Sequence, residues 1–221
     1  MPIVMRFHMN TATLTIRELL EKIASSEPTP GGGSVSAVAG SMAAALVAMI
    51  GRLTLNRKGK EYQLVASEME GIVQKADHLM DELLNLADRD SAAFERVITT
   101  YRLPKSSESE RAKREQAVQE ALKGATDVPH RIAEACEAVL ELAQRAAAKG
   151  VRSAVSDAGT AASLAEAGLH SALLNVDINL KTIQDEKFRH LYHKKCTDLA
   201  KQARVRKDAI LAIVEDWIRP E

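Results

Sequence analysis

Aromatic residues and cysteine are scarce in this chain of 221 residues. Trp, Tyr and Phe together make up 3% of the sequence, and the only two cysteines are Cys136 and Cys196. Because strands favour aromatic and β-branched runs, which are rare here, the composition argues against a sheet-rich fold. Two cysteines far apart in helical sequence do not form a disulfide framework, so we expect two reduced thiols, as in a cytoplasmic protein.

Net charge and long apolar runs are missing as well. Thirty Lys and Arg balance thirty Asp and Glu, which leaves no overall field to attract nucleic acid. The longest apolar stretch, 35–50, is interrupted by Ser36, Gly40 and Ser41 and falls short of the ~20 residues that span a bilayer. The N-terminus shows no secretion signal. We therefore expect no nucleic-acid partner, no membrane partner and a cytoplasmic location.

Alanine and helical periodicity dominate what is present. The chain holds 35 alanines, and apolar residues recur at spacings of three and four, typical of core-facing helices. The pattern predicts an all-α fold, a bundle of long antiparallel helices in a single domain over residues 1–221. Start and stop signals place the helices at about 14–24, 35–55, 62–103, 106–149, 153–180 and 185–218. Ser34 is expected to cap the second helix, and Pro129 to kink the fourth.

Asp90 interrupts the apolar stripe of the third predicted helix. The spacing from Leu83 and Leu86 to Phe94 assigns position 90 to the core, yet the residue is a carboxylate. Burial raises the pKa of a carboxyl group toward neutrality, which suits a general acid or base. The alternative is a carboxylate paired with an arginine or capping a neighbouring helix.

One face of the fifth predicted helix mixes small and polar residues. It could form a ligand groove lined by a carboxylate and two amides, or a close helix crossing with amides bonding across it. Periodicity alone does not separate these two interpretations. The residues on this face are Asp157, Ala161, Leu164, Gly168, Ala172, Asn175 and Asn179.

A glycine-rich segment, Pro30-Gly31-Gly32-Gly33-Ser34, precedes the second helix. Free backbone N–H groups at a helix start attract anions or carbonyl oxygens, and glycines let a ligand approach. The segment does not fit the known phosphate loops, because no Gly-Lys-Ser/Thr follows and no strand precedes it. The alternative is a mobile hinge between helices.

His190, His193 and Cys196 suggest a zinc site only weakly. They follow one another at i, i+3 and i+6, and residues six apart point to different sides of a helix. We therefore expect no metal.

Several motifs, in order and spacing, resemble the formimidoyltetrahydrofolate cyclodeaminase family, including the cyclodeaminase domain of formiminotransferase-cyclodeaminase. The resemblance covers residues 14 to 215. It lies in 27–34 (EPTPGGGS), 90–94 (DSAAF), 103–105 (LPK), 128–129 (VP), 156–157 (SD) and 175–180 (NVDINL).

The resemblance implies an all-α homodimer that binds a tetrahydrofolate derivative as substrate and uses no metal. Cyclodeaminases convert 5-formimidoyltetrahydrofolate to 5,10-methenyltetrahydrofolate with loss of ammonia, and relatives are methenyltetrahydrofolate cyclohydrolases. We expect the first reaction, cyclodeaminase, with cyclohydrolase on the same scaffold as the alternative. The first reaction needs a general acid and the second a base. Because no formiminotransferase domain is seen, a separate formiminotransferase is an expected partner. The alternative from another class is a non-catalytic helical dimer or interaction protein, in which Asp90 and the asparagines would be hydrogen-bonded to one another.

Carried over residue by residue, the resemblance implies Asp90 and Asp157 as the ionisable catalytic pair. Asn175 and Asn179 would orient the pterin or the one-carbon unit, and Ser156, beside Asp157, would bind the substrate. The segment 30–34 would shape the pocket. Arg57 and Lys58 would bind the anionic glutamate of folate.

Overall fold

Six α-helices account for most of the chain in this computed structural model, which describes residues 10–219. The helices are α1 (Ile16–Ile23), α2 (Gly32–Leu55), α3 (Lys60–Tyr101), α4 (Glu108–Lys149), α5 (Val155–Leu180) and α6 (Glu186–Ile218). Short 3₁₀ turns precede α1 and α5. No strand occurs within residues 10–219. The predicted all-α fold is therefore confirmed, and each helix begins and ends close to its predicted bounds.

The helix starts show which local signals were decisive. Ser107 forms a capping box with Glu110 at the start of α4, and the Asp185 side chain accepts a hydrogen bond from Phe188 N at the start of α6. The expected cap of α2 is wrong, because α2 begins at Gly32 with Gly31 as its N-cap. Ser34 lies inside the first turn, where its hydroxyl bonds to α3 instead.

The long helices pack antiparallel around one continuous apolar core. Ion pairs fix the direction of α3 against α4: Glu82 lies 3.6 Å from Arg131, and Glu68 lies 2.7 Å from Lys149. Helix α2 is surrounded by α3, α4 and α5, and α6 packs across α4 and α5. The predicted antiparallel bundle is thus the observed architecture.

Glycines let the backbones of α2 and α5 meet. A Cβ on Gly168 would lie 2.8 Å from the backbone oxygen of Ser36, and one on Gly40 would lie 2.6 Å from Cys136 Sγ. Ala161 and Ala172, on the same face of α5, are fully buried. This stretch of the small-residue face is therefore a close helix crossing and not a groove.

Helix α2 is apolar because it packs inside the bundle. By length and composition alone it could cross a membrane, with a mean hydropathy of 1.8, but 61% of its most apolar stretch is buried inside the bundle. Its apolar character is explained by packing on three sides, as expected for a core helix.

Pro129 creates a free carbonyl within α4. Proline has no N–H, so the carbonyl of Ala125, four residues earlier, loses its normal helical donor. Asn179 of α5 supplies one: its Nδ2 donates to Ala125 O at 2.8 Å. The Pro129 ring and Ala125 are both buried, where an unpaired carbonyl would be costly. The proline and the asparagine therefore form one structural unit between α4 and α5.

This unit predicts a specific non-additivity. Replacing Asn179 by Ala should lower the free energy of unfolding by about 1–3 kcal/mol, because a buried carbonyl loses the donor that the asparagine supplies. In a Pro129→Ala background the backbone N–H regained at that position can serve the carbonyl, so the same change should cost clearly less. A double-mutant cycle by urea unfolding measures the difference. Equal costs in both backgrounds would contradict the assignment.

Candidate functional site

The start of α2 lies directly against Asp90 of α3. A Cβ on Gly33 would lie only 2.5 Å from Asp90 Cγ, so a side chain at this position would displace the carboxylate. Ser34 Oγ lies 3.2 Å from Asp90 Oδ2. The glycine segment and Asp90, which the sequence predicted separately as site residues, are therefore in contact.

Ser34 ties this contact to the body of α3. Its hydroxyl donates to Ala87 O at 2.9 Å and lies 3.1 Å from Ser91 Oγ. Both serines are buried. Since one hydroxyl proton cannot serve every acceptor, Ser91 is placed to donate to Ser34 while Ser34 serves the backbone or Asp90. Ser91 belongs to the segment 90–94 (DSAAF), but the sequence pattern did not indicate it as a site residue.

Burial raises the pKa of Asp90 above its ordinary value, and hydrogen bonds from the Ser34 side chain and backbone N–H partly oppose the rise. No arginine or lysine within the described chain forms an ion pair with it. Within residues 10–219 Asp90 therefore has no arginine partner, but it accepts a hydrogen bond from the backbone N–H of Ser34 in the first turn of α2, as the capping alternative predicts. A carboxyl group with a raised pKa is a stronger base than an ordinary carboxylate and keeps its proton to a higher pH.

Asn175 of α5 closes the other side of the glycine segment. A Cβ on Gly32 would lie 3.4 Å from Asn175 Nδ2, which itself donates to Ser171 O at 2.8 Å. Because Gly32 and Gly33 are neighbours with Cα atoms ~3.8 Å apart, the Asp90 carboxyl group and the Asn175 amide lie within about 13 Å of each other. In the described part of the chain, no hydrogen bond joins Asp90 to Asn175 or Asn179.

Asn179 lies one helical turn beyond Asn175 on α5. Its NH₂ group is held by Ala125 O, so its Oδ1 keeps a fixed orientation and retains acceptor capacity. The side chains of Asn175 and Asn179 are both partly exposed. The structure thus brings together Gly31 to Ser34, Asp90, Asn175 and Asn179, with Pro30 buried just before the N-cap.

The other predicted residues lie at the opposite end of the bundle. Arg57 and Lys58 follow α2, whose 24 residues span ~36 Å, and Asp157 precedes Asn175 on α5 by ~27 Å. Arg57 Nη2 donates to Ser153 Oγ at 3.3 Å, beside Ser156 and Asp157. The predicted pairing of Asp90 with Asp157 is therefore wrong within one chain. For the same reason Ser156, Arg57 and Lys58 do not reach the Asp90 site of their own chain.

The α6 residues considered as zinc ligands do not converge. His193 Nδ1 lies 3.9 Å from Asp177 Oδ1, and Cys196 is a buried thiol whose pKa is raised by desolvation to about 11. Such a thiol is poorly suited to metal ligation, which needs the thiolate. Within residues 10–219 no group of three or more His, Cys, Asp or Glu is placed to hold a metal ion.

A cavity of about 450 Å³ lies between α3 and α4, and its lining includes Arg89, the residue before Asp90. We call it the α3/α4 cavity, and its volume falls within the range of small-molecule sites. The sequence pattern did not indicate this cavity, although Arg89 is adjacent to Asp90 and Arg96 follows seven residues after Arg89. It is lined by Arg89, Ala92, Ala93, Arg96 and Thr100 of α3, and by Ala117, Glu120, Ala121, Gly124, Ala125, Asp127 and Val128 of α4.

Three relatives with known names share this chain's sequence or fold. A methenyltetrahydrofolate cyclohydrolase from Methylorubrum extorquens is 39% identical over 92% of this chain and 97% of its own length. The formimidoyltransferase-cyclodeaminase of Gallus gallus is 35% identical over 84% of this chain, which spans 34% of the chicken protein. The crystal structure of formiminotetrahydrofolate cyclodeaminase from Thermotoga maritima superposes with a TM-score of 0.85 and 33% identity, covering 94% of this chain and 99% of that one.

A family profile agrees with these similarities. The profile described as formiminotransferase-cyclodeaminase matches residues 15–198, which include the glycine segment, Asp90, Asn175 and Asn179. The expected resemblance is confirmed: the chain belongs to the formiminotransferase-cyclodeaminase family.

Proposed function

We propose that this protein is a folate-dependent enzyme that acts on the one-carbon unit of tetrahydrofolate, as a methenyltetrahydrofolate cyclohydrolase. The observation that carries the proposal is the desolvated carboxyl group of Asp90 at the glycine start of α2, without an ion-pair partner in residues 10–219. Burying an ionised carboxyl group is costly, and the hydrogen bonds from Ser34 only partly offset the effect of burial on the pKa of Asp90. The Methylorubrum relative, matched over nearly its whole length, carries the cyclohydrolase name.

In the proposed hydrolysis, Asp90 acts as the general base. Water attacks the methenyl carbon, its oxygen forms the new C–O bond, and Asp90 accepts the proton that water loses. The C–N5 bond of the resulting tetrahedral centre then breaks as N5 takes the hydroxyl proton, which leaves a formyl group on N10. Asp90 returns its proton to solvent. Its raised pKa makes it a stronger base than an ordinary carboxylate.

Cyclodeaminase is the second candidate, favoured by the Thermotoga structure of that name. Here N10 attacks the formimidoyl carbon of 5-formimidoyltetrahydrofolate and loses its proton. The departing nitrogen gains a proton, and its bond to that carbon breaks as ammonia leaves. A carboxyl group with a raised pKa is protonated over a wider pH range and can donate that proton. Asp90 serves either reaction, because both pass through a tetrahedral centre at the same carbon.

The asparagines are proposed to orient the substrate. Both have their NH₂ groups engaged with backbone carbonyls, Ser171 O for Asn175 and Ala125 O for Asn179. Their carbonyl oxygens are thereby held in place and suited to accept hydrogen bonds from the amino and ring N–H groups of a pterin.

A homodimer and a separate formiminotransferase are further proposals. The homodimer is supported by an apolar stripe on the outer face of α2, where an isolated chain would leave Met42 56% and Leu53 42% exposed. Val35 and Met49 continue the stripe at helical spacing. Contiguous exposed apolar residues of this kind mark interaction surfaces.

The two reactions give different outcomes in one assay. With 5,10-methenyltetrahydrofolate we expect accelerated loss of the methenyl absorbance under stopped flow. With 5-formimidoyltetrahydrofolate, accelerated methenyl formation and ammonia release would instead establish cyclodeaminase. A folded protein that accelerates neither reaction would refute the enzymatic proposal.

Asp90→Asn should lower kcat by about 10²–10⁴-fold, the usual contribution of a general acid or base. Because the folded-state pKa of Asp90 lies above its unfolded value, ionisation at neutral pH disfavours folding. The variant should thus be as stable as the parent or more so at pH 7, and the difference should shrink as the pH falls. Thermal melts and kinetics check both expectations. Unchanged kcat would remove Asp90 from the mechanism.

Gly33→Ala tests the same group without changing its chemistry. The added methyl meets the Asp90 carboxylate, whereas Gly32→Ala meets Asn175 only at ordinary contact distance. We expect Gly33→Ala to lose most of its activity and Gly32→Ala to keep clearly more. Equal activities would show that the position of Asp90 against α2 is unimportant.

Met42→Glu should convert the proposed dimer to monomer, because it places a charge within the apolar stripe. Light scattering coupled to size exclusion measures the mass. Leu64→Glu is a matched control, since Leu64 is 86% exposed on α3. A monomeric parent protein would refute the dimer.

A further inference from the structure

The α3/α4 cavity carries an unexplained pair of cations. Arg89 and Arg96 line it from α3, both side chains are exposed, and neither has a hydrogen bond or ion pair with another residue of 10–219. They lie seven residues apart on the helix, so they share one face and stand about 10.5 Å apart along the axis. The pair therefore presents two free guanidinium groups to the same cavity.

Two residues of the cavity lining, Arg89 and Ala125, connect it to the proposed reaction centre. Arg89 precedes Asp90 on α3, and the carbonyl of Ala125, on the opposite wall, is the group that holds Asn179. A ligand whose reactive atoms lie at Asp90 can thus continue along α3 past Arg89 toward Arg96. Gly124 leaves the α4 wall open, since a Cβ there would meet nothing within 4 Å.

The opposite wall limits what fits. Glu120 and Asp127 of α4 also line the cavity, so it is not a general anion trap. Asp127 is partly engaged, because it accepts the Tyr192 hydroxyl at 2.9 Å. This arrangement suits an elongated ligand with carboxylates on its α3 side and amide N–H groups on its α4 side.

We propose that Arg89 and Arg96 bind the glutamate carboxylates of the folate substrate, which makes the α3/α4 cavity the tail subsite. The inference rests on the proposed function. Arg89 and Arg96 take the role that the family resemblance gave to Arg57 and Lys58, which lie at the far end of α2 from Asp90. Arg89 is nearer to Asp90 and meets the first glutamate, whereas Arg96 meets later residues of a polyglutamate tail.

The test compares substrates with and without the tail. For Arg89→Gln/Arg96→Gln we expect KM for a glutamyl methenyltetrahydrofolate to rise by about tenfold or more, as charge-assisted bonds are lost. Neither kcat nor KM for the methenyltetrahydropteroate analogue, which has no glutamate, should change. Arg96→Gln alone should affect a triglutamate more than a monoglutamate. Arg204→Gln, an exposed arginine of α6, is the matched control.

Calorimetric titration of tetrahydrofolate triglutamate and tetrahydropteroate tests the inference without turnover. Tail-dependent binding that is lost in the double variant supports it even if neither reaction is catalysed, a result that would refute only the proposed function. Equal weakening for both ligands, no weakening, or a KM rise in Arg57→Gln alone would overturn the tail subsite. Circular dichroism verifies that each variant is folded.

Discussion

The close approach of α2 to α5 is the constraint on which the rest of this structure depends. At Gly168 the backbone of α2 occupies the space of a side chain, because a Cβ there would lie 2.8 Å from Ser36 O. Gly40 plays the same part toward Cys136 of α4. Such contacts bring backbones together at a distance that no larger residue permits. They fix the position of α2 between its three neighbours, and therefore also the position of its first turn.

That position determines the site. With α2 held in place, Gly32 meets Asn175 and Gly33 meets Asp90, so three helices contribute to one small region. Glycine is required at position 33 because the carboxylate occupies the volume of its missing side chain. The serine that follows does not cap the helix but bonds to Ala87 O and contacts Asp90. The side chain of Ser34 thus contacts Asp90 and α3 instead of capping its own helix.

Two features of the site oppose local stability in different ways. Asp90 is desolvated, which raises its pKa and makes its ionised form unfavourable in the fold. Pro129 frees the Ala125 carbonyl, and this cost is offset by Asn179. Asn179 compensates for the missing donor at Pro129, whereas in residues 10–219 the desolvation of Asp90 is opposed only by hydrogen bonds from Ser34. Local rules of stability are commonly broken at functional sites, and the desolvated Asp90 is such a break.

The sequence by itself determined the helices, because periodicity, proline, glycine and capping residues act within a few residues of one another. It also determined that Asp90 is anomalous, since a carboxylate broke an apolar stripe. It could not tell which distant residues share an end of the bundle. Asp157 and Asn175 lie on one face of α5 yet are ~27 Å apart along it. Only packing decided that Asn175 faces the start of α2 while Asp157, Arg57 and Lys58 lie at the other end. The spacing of residues along a helix determines which side of the helix each one faces. Which residues of two neighbouring helices lie opposite each other is set by tertiary contacts such as those of Gly40 and Gly168.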